Sequence, residues 1–121
     1  MERKKVPDRL RFYTKVAADG TGTVESDPID QGEMLACQSI AFRNRTGARG
    51  AVILQVKQGA VTTVIAEEPA PAANEWYYYT YTQHLVAGEQ IQASQASCSA
   101  DDILDLHIVG YKTYGSQGEV V

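Results

Sequence analysis

The stretch "ILDLHIVGY", Ile103–Tyr111, alternates without a break: Leu104, Leu106 and Ile108 fall on one side, Asp105 and His107 on the other. An α-helix brings its apolar side chains round every three to four residues, whereas an extended chain points successive side chains to opposite faces. The pattern therefore predicts a strand with one face on a core and one in water. The same period recurs outward in both directions. In "LRFYTKV", Leu10, Phe12, Thr14 and Val16 oppose Arg11, Tyr13 and Lys15, and Asp19-Gly20 then supplies a tight turn. In "AVILQVKQ", Val52, Leu54 and Val56 point inward and Gln55 and Lys57 outward. Gly59 separates this run from Val61–Ala66, a hairpin partner rich in β-branched residues.

"EMLACQSIAFRN", Glu33–Asn44, breaks its own rhythm: Leu35 and Cys37 share one face, Ile40 and Phe42 the other. One extra residue near Gln38-Ser39 brings both pairs to the same side, so a bulge is expected there. "EEPAPAAN", Glu67–Asn74, cannot hold a ladder, because Pro69 and Pro71 lack the amide donor; it reads as an exposed loop. No segment shows helical period. The fold class expected is all-β: about eight strands in a two-sheet antiparallel β-sandwich, jelly-roll-like, forming a single domain over 10–121. Residues 1–15 are a basic N-terminal arm or the first strand.

The chain has 121 residues, 44% hydrophobic and 21% charged, enough for one domain with its own core. No apolar run approaches the roughly 18 residues of a membrane helix, and no apolar segment follows the basic start, so no membrane span or secretory signal is expected. The net charge of −4 is uneven: Arg3, Lys4, Lys5, Arg9, Arg11 and Lys15 against Glu2 and Asp8 leave +4 on residues 1–15 and −8 on the rest. A short basic arm grips an acidic protein surface or a phosphate backbone, or else frays in solvent. The acidic body repels nucleic acid, so none is expected as a partner. Cys37 and Cys98 have no metal-binding spacing and are expected reduced and buried. Asn44-Arg45-Thr46 fits a glycosylation sequon but reads as a polar turn into Gly47.

"NEWYYYTYTQ", Asn74–Gln83, sets five rings in six positions of a chain that is 8% aromatic. As one strand it would place Trp76, Tyr78, Thr80 and Thr82 on one face and Tyr77, Tyr79, Tyr81 and Gln83 on the other. Both faces cannot easily be core. Continuation of the odd face to Leu85 makes that the core side and leaves Trp76 and Tyr78 as outward anchors. Such rings serve as snorkelling strand formers, as a protein interface or as a carbohydrate platform.

The candidates for catalysis are thin. His84 has no partner at metal-ligand spacing, and His107 shares its face with Asp105, a pairing that reads as a surface hydrogen bond. Asp101, Asp102 and Asp105 lack the calcium-loop pattern and read as a polar turn before a strand. No phosphate loop, dinucleotide fingerprint or nucleophile elbow occurs. An enzyme, a cofactor and a metal are not expected.

"IDQGEML", Ile29–Leu35, and "LVAGEQI", Leu85–Ile91, repeat an apolar-x-x-Gly-Glu-x-apolar corner. These corners, the "FRNRTG" turn and the closing "SADDILDLHIVGY" resemble the small jelly-roll-like β-sandwich virion proteins of tailed bacteriophages, of the head decoration or cement type. The resemblance spans roughly Ile29–Tyr111 and carries over no functional residue. It implies a non-enzymatic structural protein, made in the host cytoplasm and resident in the virion, that stabilises the phage head through contacts with other virion proteins, the major capsid protein among them. A homo-oligomer is expected. The residues assigned to partner contact are Arg3, Lys4, Lys5, Arg9, Arg11, Trp76 and Tyr78. The alternative is a carbohydrate- or receptor-binding module of a tail or fibre.

Overall fold

The computed structural model describes residues 4–69 and 71–114, the side chains at 4–8 and 114 excepted. Nine strands and no helix occur among them: β1 (Lys4–Lys15), β2 (Gly20–Glu25), β3 (Glu33–Asn44), β4 (Val52–Gln58), β5 (Val61–Glu68), β6 (Tyr77–Tyr79), β7 (Gln83–Leu85), β8 (Glu89–Cys98) and β9 (Ile103–Tyr114). They form two antiparallel sheets. Sheet A runs β1-β9-β3-β6 with β7 also on β3, and sheet B runs β2-β8-β4-β5. With β6 and β7 taken as two halves of one interrupted strand, this is the order of a jelly roll, two four-stranded sheets face to face.

The core lies between the sheets, as the alternation requires. Leu104, Leu106 and Ile108 of β9, Leu35, Cys37, Ile40 and Phe42 of β3, Val52 and Leu54 of β4, and Ile91 and Ala93 of β8 are all buried. The bulge in β3 is present: its register against β9 shifts between Cys37 and Ser39. Gly110 faces it. A Cβ at Gly110 would collide with the Ala36 carbonyl oxygen, so the bulge needs glycine there.

The aromatic stretch departs from the single strand expected of it. Tyr79 pairs with Ile40, and pairing with β3 resumes only when Gln83 meets Cys37, on the far side of the bulge. The distortion of β3 thus splits its neighbour in two. Tyr77 and Tyr79 pack against the core, but Tyr81 falls in the gap and is 74% exposed, not on the core face that alternation assigns it.

The two Gly-Glu corners turn at Gly32 and Gly88, both at positive φ (83° and 85°). They are joined in space. Gly88 N–H donates to the Ile29 carbonyl at 2.8 Å, and Ile29 N–H to the Glu89 carbonyl at 2.9 Å.

Residues 4–15 are paired with β9 from Lys4↔Tyr114 to Lys15↔Ile103, and Leu10 and Phe12 pack on the core. β1 is an edge strand. It contains Pro7, whose missing donor an edge tolerates.

Candidate functional site

The outer faces of the two sheets differ in kind. On sheet B, Glu25, Gln92 and Gln55 lie in one row. Gln92 donates to Glu25 at 2.7 Å, Gln55 donates to Gln92, and Lys57 pairs with Glu25 at 3.4 Å. Thr23 and Ser94 sit 3.4 Å apart beside them. Across β2, β8 and β4 these polar groups satisfy one another as on an ordinary solvated face, while the edge strand β5 leaves Val61 and Val64 exposed.

Sheet A instead turns aromatic and cationic side chains outward. Pairing places Arg11, His107, Ala41 and Tyr78 in one row across β1, β9, β3 and β6. Arg9, Val109 and Ser39 form the next row, and Tyr13, Asp105 and Arg43 the row on the other side. Because β3 carries only Ser39 and Ala41 here, a shallow groove of ≈ 320 Å³ opens between Arg9 and Arg11 on one flank and Trp76 and Tyr78 on the other, with His107 and Val109 beside it.

Trp76 is fixed from below. Its ring lies 4.4 Å from the His107 ring, and the Arg43 guanidinium sits 4.4 Å from its centroid. Arg43 is held in turn by Asp105, donating from Nε at 3.1 Å and Nη2 at 3.0 Å. Arg45 grips the same carboxylate with two bonds of 2.7 Å. Burial alone would raise the Asp105 pKa, but the bonds from Arg45 and Arg43 outweigh it and hold the group below the usual carboxylate range. The His107 pKa is lowered, chiefly by burial and further by Arg11, Arg43 and Arg45, with Asp105 opposing. The imidazole is therefore neutral at pH 7.

Sequence reasoning misplaced these carboxylates. Asp105, read as an outward polar residue partnering His107, is 2% exposed and committed to two arginines. Asp102, read as part of a polar turn, is wholly buried: Arg49 donates to it at 2.8 and 3.0 Å, Asn44 at 3.2 Å and the Ser99 amide at 3.0 Å. Arg49 is the main cause of its strongly lowered pKa. The signal lay in Arg43 at the end of β3 with Arg45 and Arg49 in the turn after it, and in Asp102 just before β9 with Asp105 near its start; alternation alone cannot show that the two groups meet. Asn44 belongs to the same knot. Its amide nitrogen donates to Gln95 and Asp102, and its oxygen accepts from the Thr46 and Gly47 amides, so the polar-turn reading of the sequon holds.

Of the residues assigned to partner contact, Arg9, Arg11, Trp76 and Tyr78 come together around this groove. Arg3 lies outside the described residues; Lys4 and Lys5 are described as backbone of β1 only. His84 lies at a second depression on the same face, beyond the bulge, with Met34, Ala36, Gln38, Tyr111 and Thr113. Val109 and Tyr111 add exposed apolar surface between the two. Cys37 and Cys98 are buried and free, and burial raises both thiols, Cys37 to about 12. Among the described residues no group of three His, Cys, Asp or Glu side chains is placed to hold a metal, and no helix is long and apolar enough to cross a membrane.

No protein-family model matches the chain, and no curated protein matches it significantly. Solved structures do. One of Bacillus endospore appendages, a family of disulfide-linked pili, is similar over 94% of this chain and 91% of that one, at 17% identity and a TM-score of 0.56. One of the infectious bursal disease virus Gt strain covers 98% of this chain and 34% of that one at 13% identity, with a TM-score of 0.45. A CBM4 structure covers 87% and 83% at 16% identity, with a TM-score of 0.40. At these identities the likeness shows the fold alone, and the last two add nothing to the argument. What the fold and the comparison establish together is a two-sheet antiparallel β-sandwich.

Proposed function

We propose that the chain is a non-enzymatic structural subunit that attaches to another protein through the outer face of sheet A. In its specific form it is a virion protein, a decoration or cement component whose partner is the major capsid protein. One observation carries the reading: sheet A leaves Tyr13, Tyr78, Val109 and Tyr111 exposed among arginines, while β2, β8 and β4 of sheet B close their polar groups on one another. Rings of this kind, flanked by guanidinium groups, are the typical anchors of protein interfaces. The jelly-roll topology and the resemblance of the corner motifs to phage head proteins point to the virion as the assembly. The similar structure at TM-score 0.56 is of disulfide-linked pili.

The test is add-back of the purified protein to virions assembled without it, followed by sedimentation. Wild type saturates the particles, while Trp76→Ala and Tyr78→Ala lower occupancy at equal concentration. Equal occupancy by both variants, or no binding by wild type, refutes the role. A second reading is favoured by the groove itself, in which an indole and a phenol flank a space that two arginines overlook: a carbohydrate-binding module of a tail or fibre. Ring-dependent signals on a glycan array, without binding to particles, would establish it.

A further inference from the structure

Arg9 and Arg11 line the Trp76 groove, and among the described residues no carboxylate does, although the whole chain carries a net charge of −4. The neighbouring Asp105 adds no available negative charge, since Arg43 and Arg45 already occupy its oxygens. Neutral His107 takes no part in the charge balance at pH 7. The groove is thus a positive spot on an acidic molecule. Acidic ligands are repelled by most of its surface and drawn to this point.

We propose that the groove receives an extended acidic segment of the partner protein. Its carboxylates pair with Arg9 and Arg11, and an apolar side chain between them seats over Ser39 and Ala41 against Trp76 and Tyr78. This rests on the reading of sheet A as a docking face and specifies what docks there. Spacing supports it. Arg9 and Arg11 are two residues apart on one strand face, about 7 Å, which is the repeat of same-side carboxylates on an extended peptide. A guanidinium fork matches a carboxylate with two parallel bonds, so each pairing is directional as well as charged. A volume of ≈ 320 Å³ has room for one or two side chains and none for a packed helix, which is about 10 Å across.

Trp76 is the single tryptophan, so its fluorescence reports directly on the groove. The probe is an end-blocked peptide alternating glutamate and leucine, compared with the same peptide carrying glutamine for glutamate. The acidic peptide is expected to shift Trp76 emission saturably, with affinity falling as salt is raised. Arg9→Ala with Arg11→Ala is expected to weaken it by about tenfold or more, and Arg9→Lys with Arg11→Lys to fall between. Both pairs lie on a solvent-facing strand surface, and an unchanged far-ultraviolet spectrum verifies the fold. No saturable shift up to about 1 mM peptide, an equal response to the glutamine peptide, or indifference to loss of both arginines overturns the proposal. So does tighter binding of a thymidine oligonucleotide or an oligogalacturonate. If Trp76→Ala still lowers occupancy on virions after any of these results, the docking face stands and only its acidic occupant is refuted.

Discussion

The Arg43 guanidinium joins two layers of sheet A: its carbon sits 4.4 Å from the Trp76 ring centroid while its nitrogens bind the buried Asp105 carboxylate. The orientation of the groove's largest ring is therefore set by a charge beneath it. Arg43→Lys keeps the charge and loses the planar contact, and is expected to destabilise the fold by about 1 kcal/mol. Trp76 fluorescence anisotropy should fall as the ring gains freedom. An unchanged anisotropy would mean that His107 alone positions Trp76.

Asp102 is wholly buried, and its removal leaves Arg49, Asn44 and the Ser99 amide without their acceptor. Asp102→Ala is expected to cost about 3–5 kcal/mol in urea unfolding at pH 7. Asp102→Asn should cost less, because it keeps an acceptor oxygen.

Acid should destabilise the protein in two steps. His107 has a folded pKa below its unfolded value near 6.5, so it favours folding above that pH and loses this contribution as pH falls. Asp102 and Asp105 are likewise lowered, so their contribution is present above about pH 4 and disappears below it. The urea midpoint should be level from pH 8 to 7, decline below about 6 and drop steeply below about 4. His107→Gln should remove the first decline alone.

Gly110→Ala places a methyl group against the Ala36 carbonyl at the β3 bulge. A loss of about 2–3 kcal/mol or more is expected, because the obstacle is backbone and cannot rotate away. A neutral result would show that the bulge can move.

Neighbouring tyrosines of β6 should respond oppositely. Tyr78 is 58% exposed, so Tyr78→Ala should change stability by no more than about 0.5 kcal/mol while weakening partner binding. Tyr79 packs on the core, and Tyr79→Ala should cost about 2 kcal/mol.

The period-two runs made most of this architecture legible. Leu104, Leu106 and Ile108 located β9, and the phase slip between Cys37 and Ile40 located the bulge. What escaped was whatever depends on contacts between distant segments. Nothing local marks Asp102 as more buried than Asp101, since only the arrival of Arg49 makes burial tolerable. Tyr81 left the core face because the distortion lies in β3, some forty residues earlier in sequence. The basic start, read as an arm or the first strand, contributes Leu10 and Phe12 of β1 to the core. Removal of residues 1–12 would therefore strip a strand from sheet A and not merely a tether.

The gap between β6 and β7 has a consequence of its own. Thr80, Tyr81 and Thr82 are all exposed and lie outside both strand pairings with β3, at the rim of the aromatic face. Extra residues inserted there would be tolerated, since no ladder bond or core contact would break. The molecule thus carries, beside its most adhesive surface, a place where variation is cheap and its recognition preferences can diverge while the scaffold stays the same.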